Sequence, residues 1–164
     1  MDFLRGLEQI GYFTWVREAS SLWAYPTFLF LHTMGMTLVV GLSTALSLRI
    51  LGFGRDVPLA PMARLFPIIW AAFAINTFSG TTLLIADATT KLINPVFYVK
   101  MLCIVLALVS LLVLRKTVFN DPLIDQKPLP ASARFLAFAS VLLWVGGITG
   151  GRLMAYIGPV SGLE

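Results

Sequence analysis

Residues 24–48 form an uninterrupted apolar run, and this run constrains the fold more than any other feature of the chain. From Ala19 to Leu48 the sequence contains no Asp, Glu, Lys or Arg. As an α-helix, residues 24–48 would extend for about 37 Å, which is enough to cross a bilayer with some tilt. The run therefore predicts a membrane-spanning helix.

Three further apolar runs have the same character. They cover residues 66–86, 96–114 and 135–157, and the segments between them are rich in proline, glycine and charge. Only 12% of the residues are charged and 58% are hydrophobic, whereas about 25% of the residues of a soluble domain are charged. We therefore predict an all-α fold, a four-helix transmembrane bundle, with residues 1–164 as a single membrane domain.

Residues 1–22 carry too many charges to be a fifth span. Their apolar side chains recur at helical spacing, at Phe3, Leu7, Ile10, Phe13 and Val16. This pattern predicts a short amphipathic helix in the membrane interface, although a helix packed on a partner subunit would show the same pattern. The charges also interrupt any early apolar core, so we expect no cleavable signal peptide.

Lysine and arginine are distributed unevenly between the two sides of the predicted bundle. The segments that follow the first and third spans contain seven of them: Arg49, Arg55, Arg64, Arg115, Lys116, Lys127 and Arg134. The other side contains five: Arg5, Arg17, Lys91, Lys100 and Arg152. Because basic loops stay in the cytoplasm, we expect both termini on the non-cytoplasmic side. The net charge of +4 is then a topology signal, and nucleic acid is not an expected partner.

His32 is the only histidine in the chain and lies inside the first predicted span. A titratable ring at membrane depth indicates a functional site. A neutral imidazole can ligate haem iron or another metal ion, and it can hydrogen-bond a quinone. It can equally join two helices through a hydroxyl of the second span. A bis-histidine haem would require a second copy or a partner subunit, because one chain supplies one histidine.

Three other polar side chains are predicted at the depth of His32. Lys100 lies near the outer start of the third span, and Arg152 and Tyr156 lie near the outer end of the fourth. Helix rise places all four within roughly 10–12 Å of depth. Cations in lipid need an anion or a cavity, and Asp87 could neutralise only one of them. These four residues are the predicted cofactor-binding site, with room for a haem propionate, a lipid headgroup or a quinone carbonyl.

Alternatively, the Lys100 side chain reaches along the helix to the membrane interface. The fourth span also carries Gly147, Gly151 and Ala155 at four-residue spacing, which allows another helix to approach closely. The chain has almost no extramembrane part on which to build a site. We therefore expect its partners to be membrane lipids and other membrane subunits, or further copies of itself.

Several local motifs resemble a known group of proteins. They are WVREASSLWAYP leading into LHTMGMTLVVG, followed by LRILG, NPVFYVK and GRLMAY. Together they resemble a family of small bacterial four-span inner-membrane proteins whose function is largely unassigned. The layout is also loosely similar to CopD-type copper-resistance membrane proteins and to b-type cytochromes, in which helix-borne histidines bind haem or metal. The resemblance implies a bacterial inner membrane and such a role for His32, although the paired histidines of those proteins are absent.

Two functions are consistent with these observations. The first is a subunit of a larger membrane complex that takes part in electron transfer through a haem b or quinone near the outer face. The second is a structural anchor or assembly subunit without a cofactor. The sequence contains no HExxH, paired-carboxylate or phosphate-loop motif, so a non-catalytic or electron-transfer subunit is favoured over an enzyme.

Overall fold

The computed structural model describes residues 2–154, 156 and 157, and within them the chain is helical with no strand. Four helices are long and apolar enough to cross a membrane, at Tyr25–Leu51, Ala60–Ile85, Pro95–Phe119 and Ala131–Leu153. They pack into a bundle. The predicted all-α four-helix bundle is confirmed, and the four apolar helices are those of a multi-pass membrane protein.

The bundle consists of two helical hairpins that pack side by side. Two short helices, α1 (Asp2–Glu8) and α2 (Gly11–Glu18), precede the first hairpin, which is formed by α3 (Tyr25–Leu51) and α4 (Leu65–Ile85). A short helix, α5 (Ala88–Lys91), leads to the second hairpin, formed by α6 (Pro95–Leu114) and α7 (Ala131–Leu153). A 3-10 turn, Ala60–Arg64, precedes α4, and a π turn, Arg115–Phe119, extends α6. Contacts between α3 and α7 join the hairpins.

The ends of the spans follow from local sequence. Pro26 stands in the first turn of α3, where its missing N–H removes no helical hydrogen bond. Gly52 ends α3 with φ 106°, a left-handed conformation that glycine adopts without strain. The side chain of Asn94 accepts a hydrogen bond from Val96 N and so caps the start of α6.

The fourth span departs most from its predicted bounds. It was expected over residues 135–157, whereas α7 covers Ala131–Leu153 and begins directly after Pro130. At the other end the chain turns, and Asn94 Nδ2 donates to the carbonyl oxygen of Ile157 at 2.6 Å. Tyr156 therefore lies in a turn beyond the helix. Ala155, the last member of the predicted small-residue stripe, lies outside the described residues.

The two clusters of buried apolar residues lie in the middle of the bundle and at its inner end. The outer end of the bundle is the end at which α3 and α6 start and α4 and α7 finish, and the opposite end is the inner end. One buried cluster lies at mid-depth and contains Val39, Leu46, Phe66, Ile69, Ala72, Ala107, Leu111 and Trp144. A second cluster lies at the inner end and contains Ile50, Leu59, Leu114, Val118, Ile124, Ala133 and Ala137. In the outer part, α3 buries no residue before Gly35 and α6 buries none before Ala107.

The N-terminal segment is helical as expected, but it is divided into α1 and α2. Both helices pack on the connection between the hairpins rather than lying apart from the protein. Val16 of α2 is fully buried, and Arg17 Nη1 donates to the carbonyl oxygen of Ala86 at 3.3 Å. Trp15 and Trp23 remain exposed, as side chains of an interfacial aromatic belt would be.

Candidate functional site

His32 lies at the contact between α3 and α4. Its Nδ1 is 3.1 Å from the carbonyl oxygen of Asn76, and Asn76 Nδ2 donates to the carbonyl oxygen of His32 at 2.7 Å. A carbonyl oxygen can only accept a hydrogen bond, so Nδ1 must carry the proton. In the neutral ring Nε2 then keeps its lone pair. The hydrogen bond from Nδ1 orients the imidazole and sets its tautomer, and the bond from Asn76 Nδ2 ties the His32 backbone to α4.

Two glycines allow α3 and α4 to approach this closely. A Cβ on Gly80 would lie 2.7 Å from His32 Cε1 and 2.9 Å from Nδ1, so the imidazole packs directly on the α4 backbone. A Cβ on Gly35 would lie 3.0 Å from both the carbonyl oxygen of Ala72 and Cβ of Asn76. Neither role is evident from the sequence, because small residues in a span indicate close packing without showing which side chain packs against them.

Lys100 lies in the other hairpin, at the contact between α6 and α7. A Cβ on Gly150 would lie 3.3 Å from Lys100 Cβ, and one on Gly151 would lie 3.7 Å from Lys100 Cε. The aliphatic stem of Lys100 therefore follows the glycine surface of α7, and the side chain is half-buried. The i, i+7 relation to Ala107, which is fully buried, places this face of α6 toward α7 rather than toward lipid.

His32 and Lys100 are two predicted site residues that lie at a similar depth, one in each hairpin. Helix rise places His32 about 10 Å inside the outer end of α3 and Lys100 about 8 Å inside that of α6. No hydrogen bond or ion pair between described residues joins His32 to Lys100. Only a bound ligand could connect the two side chains.

Arg152 and Tyr156 are less closely associated with this region. Arg152 is exposed, and it follows Gly151, which contacts the stem of Lys100. Tyr156 is 59% exposed and lies in the turn beyond α7. Within residues 2–154, 156 and 157, neither side chain makes a hydrogen bond or an ion pair. Arg152 thus follows a glycine that contacts Lys100, whereas Tyr156 lies beyond the end of the helix in which it was predicted.

Asp87, the carboxylate considered as a partner for Lys100 and Arg152, pairs with a different residue. Asp87 Oδ2 lies 3.7 Å from Lys91 Nζ, which also donates to the carbonyl oxygen of Leu83 at 2.9 Å. Asp87 thus pairs with Lys91 and not with Lys100 or Arg152. In the described part of the chain, the cations on α6 and α7 therefore have no carboxylate partner.

The donor set for a metal ion is small. No group of three or more His, Cys, Asp or Glu side chains is gathered in the described residues. A metal held by His32 would take its other ligands from a macrocycle, a thioether or another subunit. Among the groups considered in the sequence analysis, a haem fits this requirement because the porphyrin itself supplies four of the ligands of its iron.

Comparisons of the chain with protein-family models, with curated proteins and with solved structures found no match. The resemblance to small four-span inner-membrane proteins therefore stays a prediction, and so does the role that it implies for His32.

Proposed function

We propose that this protein is a subunit of a larger complex in the bacterial inner membrane, with both termini on the non-cytoplasmic side. In that complex it takes part in electron transfer through a haem b or a quinone bound beside His32 near the outer face. The observation that carries the proposal is the hydrogen bond from Nδ1 of His32 to Asn76. It leaves Nε2 as a fixed lone-pair donor, and metal-ligating histidines are commonly oriented in this way by a backbone carbonyl.

The cations at the same depth support an anionic cofactor. Lys100 is half-buried in the outer part of the bundle without a carboxylate partner in the described residues. A cation in that position is stabilised by an anion that shares its low-dielectric surroundings. Lys100 and Arg152 would hold the carboxylates of a haem, which would supply that charge, and His32 would ligate its iron. The haem, when bound, supplies the one-electron chemistry.

The tautomer of His32 also favours haem b over a quinone as the cofactor. With Nδ1–H donated to Asn76, the neutral ring can ligate iron or accept a hydrogen bond from the hydroxyl of a quinol. It cannot donate to the carbonyl of an oxidised quinone unless the ring becomes a cation. Haem b is therefore the first candidate, and a quinol is the second.

One observation supports the alternative function, that of a structural subunit without a cofactor. The two hydrogen bonds between His32 and Asn76 join α3 to α4 without any ligand. If this is all that His32 does, the protein is an anchor or assembly subunit, and its membrane surfaces serve partner subunits or a second copy. The exposed flank of each hairpin is compatible with either function.

The test is the visible spectrum of the protein purified with its native partners from haem-replete cells. We expect a Soret band and sharp α and β bands after reduction with dithionite, all of them absent in His32→Ala. Thr33→Val is the matched control, because Thr33 is exposed on the same helix and its hydroxyl donates only to Leu29. A colourless complex with no quinone in its organic extract would contradict electron transfer and establish the structural function.

A further inference from the structure

Four buried polar atoms between the middle of the bundle and its inner end lack a hydrogen-bond partner among the described residues. They are Oγ of Ser43, Ser47 and Ser140, and Nε1 of Trp144. None of these residues is more than 4% exposed. We call this set the serine seam. It contains no residue of the proposed cofactor site.

The serine seam differs from the other buried hydroxyls of the spans. Ser79, Thr82 and Ser110 each donate to the carbonyl oxygen four residues earlier, at 2.7, 3.1 and 2.8 Å. That local bond satisfies a hydroxyl in a membrane helix without any other partner. The three serines of the seam do not make it, so their polar atoms are directed elsewhere.

Ser43 and Ser47 lie on the buried face of α3. Ser140 and Trp144 lie on the buried face of α7, which packs against α3. Val39 and Leu46 of α3 share a buried cluster with Trp144. Ile50 of α3 shares the next cluster with Ala133 and Ala137 of α7. Because α3 and α7 run in opposite directions, these two clusters set the register of the pair.

That register places Ser43 within about one helical turn of the level of Trp144, and Ser47 within about one turn of the level of Ser140. Within each helix the two residues are four positions apart, so they occupy adjacent turns of one face. The seam therefore forms one contiguous patch between α3 and α7, bounded by apolar side chains above and below.

We propose that the serine seam is a binding site for ordered water between α3 and α7. Three hydroxyls can each donate and accept, and the indole N–H of Trp144 can only donate. A water molecule accepts from the indole and exchanges hydrogen bonds with the hydroxyls, which satisfies all four groups. The patch has no charged side chain and its serines are short, so a small neutral molecule is the ligand that fits.

The first test measures the surroundings of Trp144. Replacing Trp15, Trp23 and Trp70 by Phe leaves Trp144 as the only tryptophan in the full-length protein. If its N–H binds water, its fluorescence lies to the red of an indole in an apolar site, and Ser43→Ala and Ser140→Ala each shift it to the blue. An apolar-type emission that neither substitution changes would overturn the proposal, because the indole then has no water partner.

The second test uses the sign of the change in melting temperature. Removing a hydroxyl that binds water lowers the melting temperature, whereas removing a buried hydroxyl that has no partner raises it. We expect Ser43→Ala and Ser140→Ala to lower it in detergent by more than Ser110→Ala, whose hydroxyl bonds only within its own helix. An increase in both seam variants would overturn the proposal.

Discussion

Glu8 and Thr89 are 81 positions apart, yet Glu8 Oε1 accepts hydrogen bonds from Thr89 N at 2.7 Å and from Thr89 Oγ1 at 2.8 Å. Arg17 Nη1 lies 3.9 Å from the other carboxylate oxygen of Glu8. These contacts attach α1 and α2 to the connection between the hairpins. They hold the N-terminal helices at the outer end of the bundle, the end at which His32 and Lys100 lie.

The Glu8–Thr89 contact should make this attachment sensitive to acid. The hydrogen bond from the Thr89 backbone, with a smaller contribution from the charge of Arg17, lowers the pKa of Glu8 below its usual value of 4.5. A lowered carboxylate pKa stabilises the folded state above the unfolded pKa, and this stabilisation is lost as the pH falls through the folded pKa. We expect hydrogen exchange in residues 2–18 to stay constant from pH 7 to about pH 5 after correction for the intrinsic rate, and to rise below the folded pKa of Glu8.

Glu8→Ala should release the N-terminal helices at neutral pH. Hydrogen bonds to a charged acceptor contribute about 1.5–3 kcal/mol, so we expect faster proteolysis within residues 2–18 while the four spans stay folded. Glu18→Ala is the control, because Glu18 is exposed and pairs only with the adjacent Arg17. Equal proteolysis of the two variants would show that apolar contacts, and not Glu8, hold α1 and α2.

Gly80 should not tolerate a side chain. The Cβ of Gly80→Ala would lie within 3 Å of two ring atoms of His32, so the ring must move or the helices must separate. We expect a loss of about 1–3 kcal/mol in the free energy of unfolding, measured by denaturation in mixed micelles. Gly41→Ala in α3 is the matched control, because nothing lies within 4 Å of its added Cβ, and it should be neutral or stabilising. Equal stability of the two variants would mean that the α3–α4 contact is looser than described.

The sequence predicts the four spans well, because the length and composition of an apolar run decide whether a helix can cross a bilayer. The end of the fourth span was placed beyond Leu153 because hydropathy continues through Tyr156 and Ile157. The chain turns there with a contact from Asn94, which lies in another part of the sequence. A hydropathy pattern contains no information about such a contact.

The polar contacts between elements were not predictable for a related reason. Asp125 accepts hydrogen bonds from Leu59 N at 2.7 Å and from Ala60 N at 3.1 Å, and so attaches one inner loop to the other. Nothing in the local sequence distinguishes Asp125 from an ordinary exposed loop residue. The same holds for His32, for which the sequence indicates a polar partner but not the rotation of α4 that presents Asn76. Such pairs depend on how the helices are rotated and spaced, and those quantities are set by the packing of the whole bundle.

Asn76→Ala should separate the two proposed functions of His32. It removes the hydrogen bond from Asn76 Nδ2 to the His32 carbonyl, but it keeps the backbone oxygen that accepts from Nδ1. We expect a loss of about 1 kcal/mol in stability with the haem spectrum retained, whereas His32→Ala should lose the spectrum. A variant Asn76→Ala that loses haem as completely as His32→Ala would show that haem retention depends on the helix contact and not on ligation.

Lys100→Met should distinguish an anion-binding cation from one that only reaches the interface. Methionine preserves much of the aliphatic stem that packs on Gly150 and Gly151 and removes the charge, so the α6–α7 contact should persist. A positive charge beside a redox group favours its reduced form, which carries one more electron. If Lys100 lies beside a haem propionate, Lys100→Met should therefore lower the midpoint potential and the amount of bound haem.

The control is Arg134→Met, which removes an exposed cation at the inner end of α7 and should change neither quantity. A Lys100→Met protein with unchanged haem content and potential would show that Lys100 reaches the interface and takes no part in the site.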